Sequence, residues 1–472
     1  MSFLNEQDYA SHKKAYPRTF NGDFRKLKWL ISLILLGIYL FVPWIRWDRG
    51  SDAPSQAVLI DMEGRRAYFF NIEIWPQEVY YLTGILIIAA IALFLATAMA
   101  GRVWCGFACW QTVFTDLFVW VESSFEGDRN ARIKRDNGPL TVDKILRKIG
   151  TNVVWLILSF ITGLQMMLYF GNAPDMLKEF FAGEAGVTVY SFTFILMVST
   201  YLLAGYARED VCVYMCPYAR FQGSMLDENS LVVTYEAWRG EPRAKTKKGQ
   251  SFEGRGHCVE CTMCVQACPT GIDIRNGPQI ACIGCGLCID ACNVTMDRMG
   301  LPRGLISYDS MNNQDARAKG EPTKNRVIRP RTIGYFGLIA VVGIFMLFVL
   351  NNRARIGINV LHDRSPLFVV MSDGSIRNSY TLKIINMTNQ KVELPLEIKG
   401  VEYSKLHILG QEEEGSKPKL VISAVRVADF RLFVAVSPDK LREKSSAVEF
   451  IITNPETGEK RTAKDKFVGP GK

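Results

Sequence analysis

Twelve cysteines carry most of the chemistry that this sequence suggests, and eight of them lie in one short run. Residues 258–292 contain two copies of the spacing C-x2-C-x2-C-x3-C, the first followed directly by proline. This spacing is typical of bacterial ferredoxins, in which the fourth cysteine of each copy binds the cluster of the other copy. It predicts two 4Fe–4S clusters. The ligands are Cys258, Cys261, Cys264 and Cys292 for one cluster, and Cys282, Cys285, Cys288 and Cys268 for the other.

A zinc site is the alternative interpretation of this run. Zinc takes four ligands, and its cysteine pairs are usually separated by a longer insert than the one found here. The doubled motif therefore favours two clusters. Gly284 and Gly286 agree with this interpretation, because a backbone crowded against a cluster has no room for a Cβ atom.

The remaining four cysteines form two C-x3-C pairs, Cys105 with Cys109 and Cys212 with Cys216. If each pair is helical, its two sulfur atoms lie on one face. Three interpretations stay open: small buried apolar residues, a third iron–sulfur cluster, or a redox site whose thiolates prefer Cu(I). Met215 adds a candidate thioether ligand to the second pair.

Basic side chains next to the two pairs would favour thiolates. Arg102, Arg208 and Arg220 are close in sequence to the pairs, and a nearby cation lowers the pKa of a thiol. Their other role is to reach the headgroup layer of a membrane. We expect the same of Lys26 and Lys28 near the N-terminus.

Five uncharged apolar runs predict helices that cross a membrane, since about 20 residues span the hydrocarbon layer. The runs are Trp29–Ile45, Val79–Ala100, Val153–Phe170, Val187–Tyr206 and Thr332–Leu350. Residues 110–121 are too short to cross and contain Asp116, which indicates an interfacial or re-entrant segment. None of the runs contains histidine, which excludes a bis-histidine haem within the membrane.

Basic residues predict the orientation of these helices. Segments 1–28, 101–149 and 207–331 hold six, eight and seventeen Lys or Arg, whereas segments 46–78 and 171–186 hold four and one. The positive-inside rule therefore places the first three segments in the cytoplasm and the C-terminal piece in the periplasm of a bacterial inner membrane. The net charge of +9 requires no nucleic acid, and residues 243–248 are a solvated loop or a contact with anionic lipid.

Residues 352–472 change character and contain no cysteine. Short runs alternate polar and apolar residues between turn signals, so that Tyr380, Leu382 and Ile384 share one face of a strand. Seven or so strands predict an immunoglobulin-like sandwich without the usual Cys–Trp–Cys core. We expect a docking module, because no catalytic constellation is visible in it.

The fold class expected from these observations is a multi-domain membrane protein. It combines an α-helical transmembrane bundle of about five spans, a cytoplasmic bacterial-type dicluster ferredoxin insert and a C-terminal all-β immunoglobulin-like sandwich. The expected boundaries are 1–28 (cytoplasmic segment), 29–206 (spans one to four), 207–331 (cytoplasmic region with the ferredoxin at about 250–300), 332–350 (span five) and 351–472 (periplasmic sandwich).

Several motifs together resemble the CcoG family of cytochrome c oxidase accessory proteins, also called FixG or RdxA. They are AYPRTFNGDFR, GRVWCGFACWQTVFTDLF, EDVCVYMCPYARFQG, the ferredoxin run, MDRMGLPRGLISYD and INVLHDRSPLFVVMSDGSIRNSYTLKIIN. The resemblance implies assembly of cbb3-type cytochrome oxidase and reduction of Cu(II) to Cu(I). It also implies oxidase subunits, copper chaperones and copper transporters as partners, and copper held by Cys105, Cys109, Cys212 and Cys216.

One position departs from the pattern of that family, in which both C-x3-C pairs are followed by proline. Pro217 follows the second pair, but Trp110 follows the first. Because proline mainly fixes backbone geometry, the difference concerns the shape of the first loop more than its sulfur atoms.

Two other functions remain open on sequence grounds. One is an electron-transfer subunit that feeds a periplasmic reductase, as in proteins resembling NapH or NosR. The other is a non-catalytic assembly factor whose sandwich docks the oxidase. The sequence leaves the electron donor, a cytoplasmic carrier or quinol, and homo-oligomer formation undecided.

Overall fold

The computed structural model describes residues 14–49, 53–324, 326–352, 354–388, 390–403, 405–410, 418–423, 426–441 and 444–470. The first thirteen residues of the predicted N-terminal segment thus lie outside the described part. The described chain forms two compact units. The larger contains the residues up to Arg46 and Gln56–Leu347, and the smaller contains Trp47–Ser55 and the residues from Phe348 onward.

Helices dominate the larger unit. They are α1 (Asp23–Phe41), α2 (Tyr80–Ala100), α3 (Trp110–Glu126), α4 (Arg129–Asn137), α5 (Val142–Met167), α6 (Ala173–Ala182), α7 (Val187–Thr200), α8 (Arg208–Asp210), α9 (Tyr218–Met225), α10 (Ala237–Gly240), α11 (Met263–Ala267), α12 (Leu287–Met299), α13 (Met311–Ala318) and α14 (Pro330–Asn351).

Within the described ranges, five helical segments are long and apolar enough to cross a membrane, as the sequence predicts. They are Asp23–Trp44, Pro76–Ala100, Val142–Met167, Val187–Met215 and Pro330–Asn351. The first and third begin well before the apolar runs, because polar residues continue the helix beyond the membrane. The protein is therefore a membrane protein with a bundle of five spans.

Small residues let two of these helices approach closely. A Cβ atom on Gly163 of α5 would lie 2.6 Å from the carbonyl oxygen of Thr193 in α7, so only glycine fits this crossing. Helix α3 packs beside them, with the rings of Phe118 and Trp155 stacked at 5.4 Å. The indole N–H of Trp155 donates to the carbonyl oxygen of Phe118 at 3.1 Å.

The strands form four antiparallel sheets, two of them in the larger unit. The strands of the larger unit are β1 (Val58–Asp61), β2 (Arg66–Phe69), β3 (Ile72–Ile74), β4 (Val232–Tyr235) and β5 (Ile306–Asp309). Strands β1–β3 form a small meander between the first two spans. Strands β4 and β5 pair on either side of the cysteine run in sequence and so close the ferredoxin module.

The N-terminus of α1 is capped by a distant residue. Its N-cap position is Gly22, which has no side chain to satisfy the first backbone N–H groups. Asp290 of α12 does this instead: its carboxylate is buried and accepts the N–H groups of Phe24 and Arg25 at 3.3 and 2.8 Å. A Cβ atom at Gly22 would clash with this carboxylate. The ferredoxin module is therefore fixed directly to the first membrane helix.

The smaller unit is an immunoglobulin-like sandwich. Its strands are β6 (Ile356–His362), β7 (Val369–Val370), β8 (Ile376–Asn386), β9 (Val392–Lys399), β10 (Lys405–Ile408), β11 (Lys419–Ile422), β12 (Arg426–Val436), β13 (Ser445–Thr453) and β14 (Lys460–Val468). One sheet has the order β10-β12-β8-β6 with β7 beside β8, and the other has β11-β9-β13-β14. In the described part the sandwich thus has nine strands, two more than expected.

Alternating side chains fill the core between these two sheets. Tyr380, Leu382 and Ile384 of β8 face Phe450 of β13, and all four are fully buried. The rings of Tyr380 and Phe450 are 5.0 Å apart. The strand faces predicted from the sequence are therefore confirmed.

Candidate functional site

The cysteines of the ferredoxin run line two cavities. Cys258, Cys261, Cys264 and Cys292 surround the first, which has a volume of about 340 Å³. This grouping brings the last cysteine of the second copy to three cysteines of the first copy. It is the composition that crossed ligation of a cluster requires.

The second cavity has the complementary composition. Cys268, Cys282, Cys285 and Cys288 line it together with Cys264, and its volume is about 330 Å³. Helices α11 and α12 supply most of these side chains and pack against each other. Both cavities therefore fit a 4Fe–4S cluster in donor type and donor number, and the assignment of individual ligands remains a prediction.

Most cysteines of this module are buried or half-buried, and this affects the protonation of their thiols. Burial raises the pKa of Cys264, Cys282 and Cys292 to about 12 each. Iron binds the thiolate form, so loading of these sites must release protons.

The glycines between the cluster cysteines are crowded by protein side chains. Gly286 has a φ of +71°, and a Cβ atom there would lie 2.6 Å from the ring of Phe24. Gly284 has a φ of +66°, and its nearest neighbour is Arg102. Because glycine has no side chain, both positions allow the module to pack closely against Phe24 and Arg102.

The two C-x3-C pairs have the same local structure. Each lies on one π-helical turn, Trp104–Ala108 for the first pair and Val211–Met215 for the second. In each pair the N–H of the second cysteine donates at 2.8 Å to the carbonyl oxygen five residues earlier. Single π turns are frequent at functional sites.

This geometry corrects two expectations. The pairs do not share the face of a regular α-helix, because the second cysteine of each pair leaves the helix in an extended conformation. Its φ and ψ are −63° and 129° at Cys109, and −81° and 112° at Cys216. The first loop also has the shape of the second although Trp110 replaces proline, so its π turn alone is sufficient to set the geometry.

The four cysteines of the two pairs converge. Cys105 interacts electrostatically with Cys109 and Cys216, and Cys212 interacts with all three. The thiol of Cys105 donates to the side-chain oxygen of the buried residue Gln222 at 3.2 Å. Spans two and four thus end in one shared thiol site, which we call the four-cysteine site.

The expected effect of the arginines on this site is largely wrong. Burial raises the pKa of Cys105 to about 11, and Arg102 opposes this shift without reversing it. Arg208 is held elsewhere, by Glu122 at 2.9 Å. The cost of burying a thiolate is larger than the stabilisation that one neighbouring guanidinium supplies.

Lys28 and Met215 also differ from expectation. Lys28 is only 1% exposed and pairs with Asp116 at 3.6 Å, so it does not reach the headgroup layer. Asp116 lies in α3 and also pairs with Arg25 at 2.9 Å. Met215 is 61% exposed, which places most of its side chain outside the site.

The four-cysteine site contacts the second cluster cavity through backbone. A Cβ atom on Gly106 would lie 2.7 Å from the carbonyl oxygen of Gly284 and 3.0 Å from the Cα of Cys285. Arg102 connects the same two loops: its guanidinium donates to Gln222 at 3.0 Å and to the carbonyl oxygen of Cys282 at 2.8 Å. The two redox candidates are therefore direct neighbours.

Replacing Gly106 by alanine should separate these two loops. The added methyl group meets backbone atoms that no rotamer change can move, so we expect a loss of about 1–3 kcal/mol in stability. We also expect faster maleimide labelling of Cys105. Gly37→Ala is the matched control, because nothing lies within 4 Å of a Cβ atom at that position. Equal labelling rates in the two variants would contradict the close approach.

His257 is not positioned as a ligand. Its Nδ1 accepts a hydrogen bond from Arg239 at 2.9 Å, and its ring lies 5.8 Å from that of Phe252. Burial, together with the Arg239 charge, lowers the pKa of His257, so the ring is neutral at pH 7. It supports the loop before Cys258.

No group of three or more His, Cys, Asp or Glu side chains in the described ranges is close enough to hold a single metal ion. This applies to the two ferredoxin sets as well as to the four-cysteine site.

Three family models match the chain. A 4Fe–4S dicluster domain matches residues 207–311, a 4Fe–4S binding domain matches residues 82–126, and the IG-like fold at the C-terminus of FixG matches residues 346–470. The second of these contains Cys105 and Cys109, which the sequence had left open between three interpretations.

Curated relatives match over most of the chain. Nitrogen fixation protein FixG of Rhizobium meliloti is 42% identical, and the match covers 98% of this chain and 94% of that protein. Proteins RdxA and RdxB of Cereibacter sphaeroides are each 45% identical and cover 84% and 80% of this chain, and the same shares of their own lengths. A solved structure of a FixG-related protein from Vibrio parahaemolyticus is 25% identical, with a TM-score of 0.21. It covers 24% of this chain and 96% of that chain.

Proposed function

The chain belongs to the FixG/RdxA family of membrane iron–sulfur electron-transfer proteins, and on this premise we propose that it reduces Cu(II) to Cu(I) during assembly of cbb3-type cytochrome oxidase. The observation that carries the proposal is the backbone contact between Gly106 of the four-cysteine site and Gly284 of the ferredoxin module. This contact brings the four-cysteine site directly against the ferredoxin module and so supports electron transfer between them.

The orientation is part of the proposal. The excess of Lys and Arg in segments 101–149 and 207–331 supports a cytoplasmic ferredoxin module and a cytoplasmic four-cysteine site. The sandwich then lies in the periplasm of a bacterial inner membrane. There it is available to dock oxidase subunits, copper chaperones or copper transporters.

The 4Fe–4S clusters, when bound by the two sets of ferredoxin cysteines, supply one-electron redox chemistry. The other tasks belong to the chain itself. Arg102 and the Gly106–Gly284 contact hold the four-cysteine site beside this module, and Gln222 orients the thiol of Cys105.

Copper enters as the substrate. Cys105, Cys109, Cys212 and Cys216 bind the ion, and sulfur ligands stabilise Cu(I) relative to Cu(II). The reduction consumes one electron per ion. Because burial raises the pKa of the Cys105 thiol, copper binding by this residue releases a proton, and we expect copper affinity to rise with pH.

A second candidate function has one observation in its favour. The 4Fe–4S binding model matches residues 82–126, which contain Cys105 and Cys109. This match favours a third cluster, which would make the protein a relay to a separate periplasmic reductase. Non-catalytic assembly through the sandwich is the remaining alternative.

Anaerobic EPR spectroscopy tests the copper proposal on the complete protein. We expect the reduced protein to remove the Cu(II) signal of one added equivalent, and Cu(I) chelation to recover that equivalent. Metal analysis of the isolated protein distinguishes the alternatives. About eight irons per chain fits two clusters, whereas about twelve fits three.

Two results would contradict the proposal. One is a Cu(II) signal that persists beside reduced clusters. The other is a potentiometric titration that places both cluster potentials well above the couple of the bound copper. Co-purification of a tight reductase partner would then favour the relay.

A further inference from the structure

A separate cavity lies beside the redox sites in the larger unit. Its walls come from the N-terminal segment, α3, the end of the fourth span and the ferredoxin module. None of the chemistry described above uses this cavity.

The cavity lies between the two redox candidates. Cys212 of the four-cysteine site lines one side. On another side are Pro269, which follows Cys268, and Ile283, which follows Cys282. A molecule bound here would contact the surroundings of both sites, which suits an electron donor.

Its position is at the ends of membrane helices. Arg25 and Lys28 of the lining belong to the first two turns of the span Asp23–Trp44. Cys212 belongs to the last turn of the span Val187–Met215. Molecules dissolved in the bilayer can therefore reach this level with a polar head group.

The charges of the lining disfavour an anionic ligand. Four cations line the cavity, and each already pairs with a carboxylate: Arg18 with Asp128 at 3.3 Å, Arg25 and Lys28 with Asp116 at 2.9 and 3.6 Å, and Arg208 with Glu122 at 2.9 Å. A phosphate-bearing flavin or nucleotide would have to compete with these ion pairs, of which those of Arg25, Lys28 and Arg208 are largely buried. A neutral ligand would leave these ion pairs in place.

One polar group of the lining lacks a partner. The hydroxyl of Thr112 is buried, the residue being 5% exposed, and it makes no hydrogen bond. Such a group costs free energy unless a ligand or water satisfies it. Phe20, Val119 and Leu287 make much of the remaining wall apolar. The cavity therefore suits an apolar ring that carries a hydroxyl or carbonyl group.

We propose that this cavity binds a membrane hydroquinone, the electron donor of the proposed reductase. This inference rests on the proposed function only in naming the reaction that the electrons serve. The Thr112 hydroxyl bonds to one quinone oxygen, and the ring lies against Phe20 and Val119.

The redox step balances within the chain and its clusters. Two O–H bonds of the hydroquinone break and two C=O bonds form, which releases two electrons and two protons. The electrons reduce two 4Fe–4S clusters by one electron each. The protons pass to Glu209, a carboxylate of the lining, and from it to water.

Binding is tested on the full-length protein in detergent with 2-heptyl-4-hydroxyquinoline N-oxide, a fluorescent quinone-site ligand, and with decylubiquinone as competitor. We expect one site per chain. Thr112→Val, which keeps the shape and removes the hydroxyl, should weaken binding about 5- to 10-fold. Val119→Trp should fill the cavity and abolish binding.

Thr193→Val is the matched control. Thr193 is also buried in a helix with an unpartnered hydroxyl, but it does not line the cavity. This variant should bind like the wild type. Equal affinities of the two threonine variants together with unchanged binding by Val119→Trp would overturn the proposal. So would binding of flavin mononucleotide in place of the quinone analogues, or no binding by the wild type.

EPR spectroscopy adds a readout that separates this proposal from the copper proposal. Decylubiquinol should reduce the clusters of the wild type but not those of Val119→Trp, whereas dithionite should reduce both. Dithionite-driven loss of the Cu(II) signal without quinone binding would overturn the donor site and leave copper reduction intact. Quinone binding without Cu(II) reduction would overturn copper reduction and leave the donor site intact.

Discussion

Replacement of Cys212 and Cys216 together by alanine is expected to abolish reduction of Cu(II) while the ferredoxin clusters remain. The two residues supply half of the four-cysteine site, because Cys212 interacts electrostatically with Cys105, Cys109 and Cys216. The ferredoxin cavities contain neither residue among their lining side chains. We therefore expect at least a 100-fold slower loss of the Cu(II) EPR signal, with an unchanged signal from the reduced clusters.

Val213→Ala is the matched control for this experiment, since it alters the same π turn without removing sulfur. A double cysteine variant that reduces Cu(II) like this control would exclude the four-cysteine site as the copper site. Loss of four irons per chain in the double variant would instead identify a third cluster.

Replacement of Glu122 by alanine is expected to give the largest loss of stability. Glu122 is 1% exposed and pairs with Arg132 at 3.1 Å and with Arg208 at 2.9 Å. Both arginines are buried, so the variant leaves two charges in the interior without their counter-ion. Removal of one partner from a buried ion pair costs about 3–5 kcal/mol.

The same change should disturb the second C-x3-C loop. Arg208 has a φ of +33°, a strained value for a residue with a side chain, and it lies just before this loop. Glu122 holds its guanidinium in place. Loss of the carboxylate should therefore lower the melting temperature in detergent and also increase labelling of Cys212.

The stability contribution of Glu122 should depend on pH. Burial raises the pKa of this carboxyl, but the charges of Arg208, Lys14 and Arg132 lower it by a larger amount. The net pKa therefore lies below the ordinary value of 4.5. The contribution is then fully present above pH 4.5 and is lost as the pH falls through the lower, folded-state pKa. Glu63→Ala, at an exposed position, should match the wild type throughout. An equal melting temperature of Glu122→Ala and Glu63→Ala at pH 7 would contradict the prediction.

Patterns that are local in sequence predicted most of the fold. Five apolar runs identified the five spans, and period-two alternation identified the core face of β8. The spacing of the ferredoxin cysteines predicted the crossed grouping that lines the two cavities, although Cys264 lines both and the individual ligands remain a prediction. These signals succeed because spacing along one helix, strand or loop already determines which side chains lie together.

Contacts between distant segments were not predictable in this way. Lys28 directly precedes the first apolar run, which is a position typical of a residue that reaches the membrane surface. Only the fold places Asp116 beside it. The π turns depend on backbone hydrogen bonds that the residue types in these segments do not predict. The meander β1–β3 was missed because its strands are only three or four residues long, and aromatic residues there also fit a membrane interface.

The cap that Asp290 provides for α1 has a consequence for biosynthesis. The first membrane helix emerges from the ribosome early, but the carboxylate that completes its N-terminus is encoded 266 residues after Phe24. Contacts of such long range form slowly, because the intervening chain must first be ordered. Completion of the first span must therefore wait until α12 has been synthesised and packed against it, and until then the start of the inserted helix lacks its cap and is open to proteolysis.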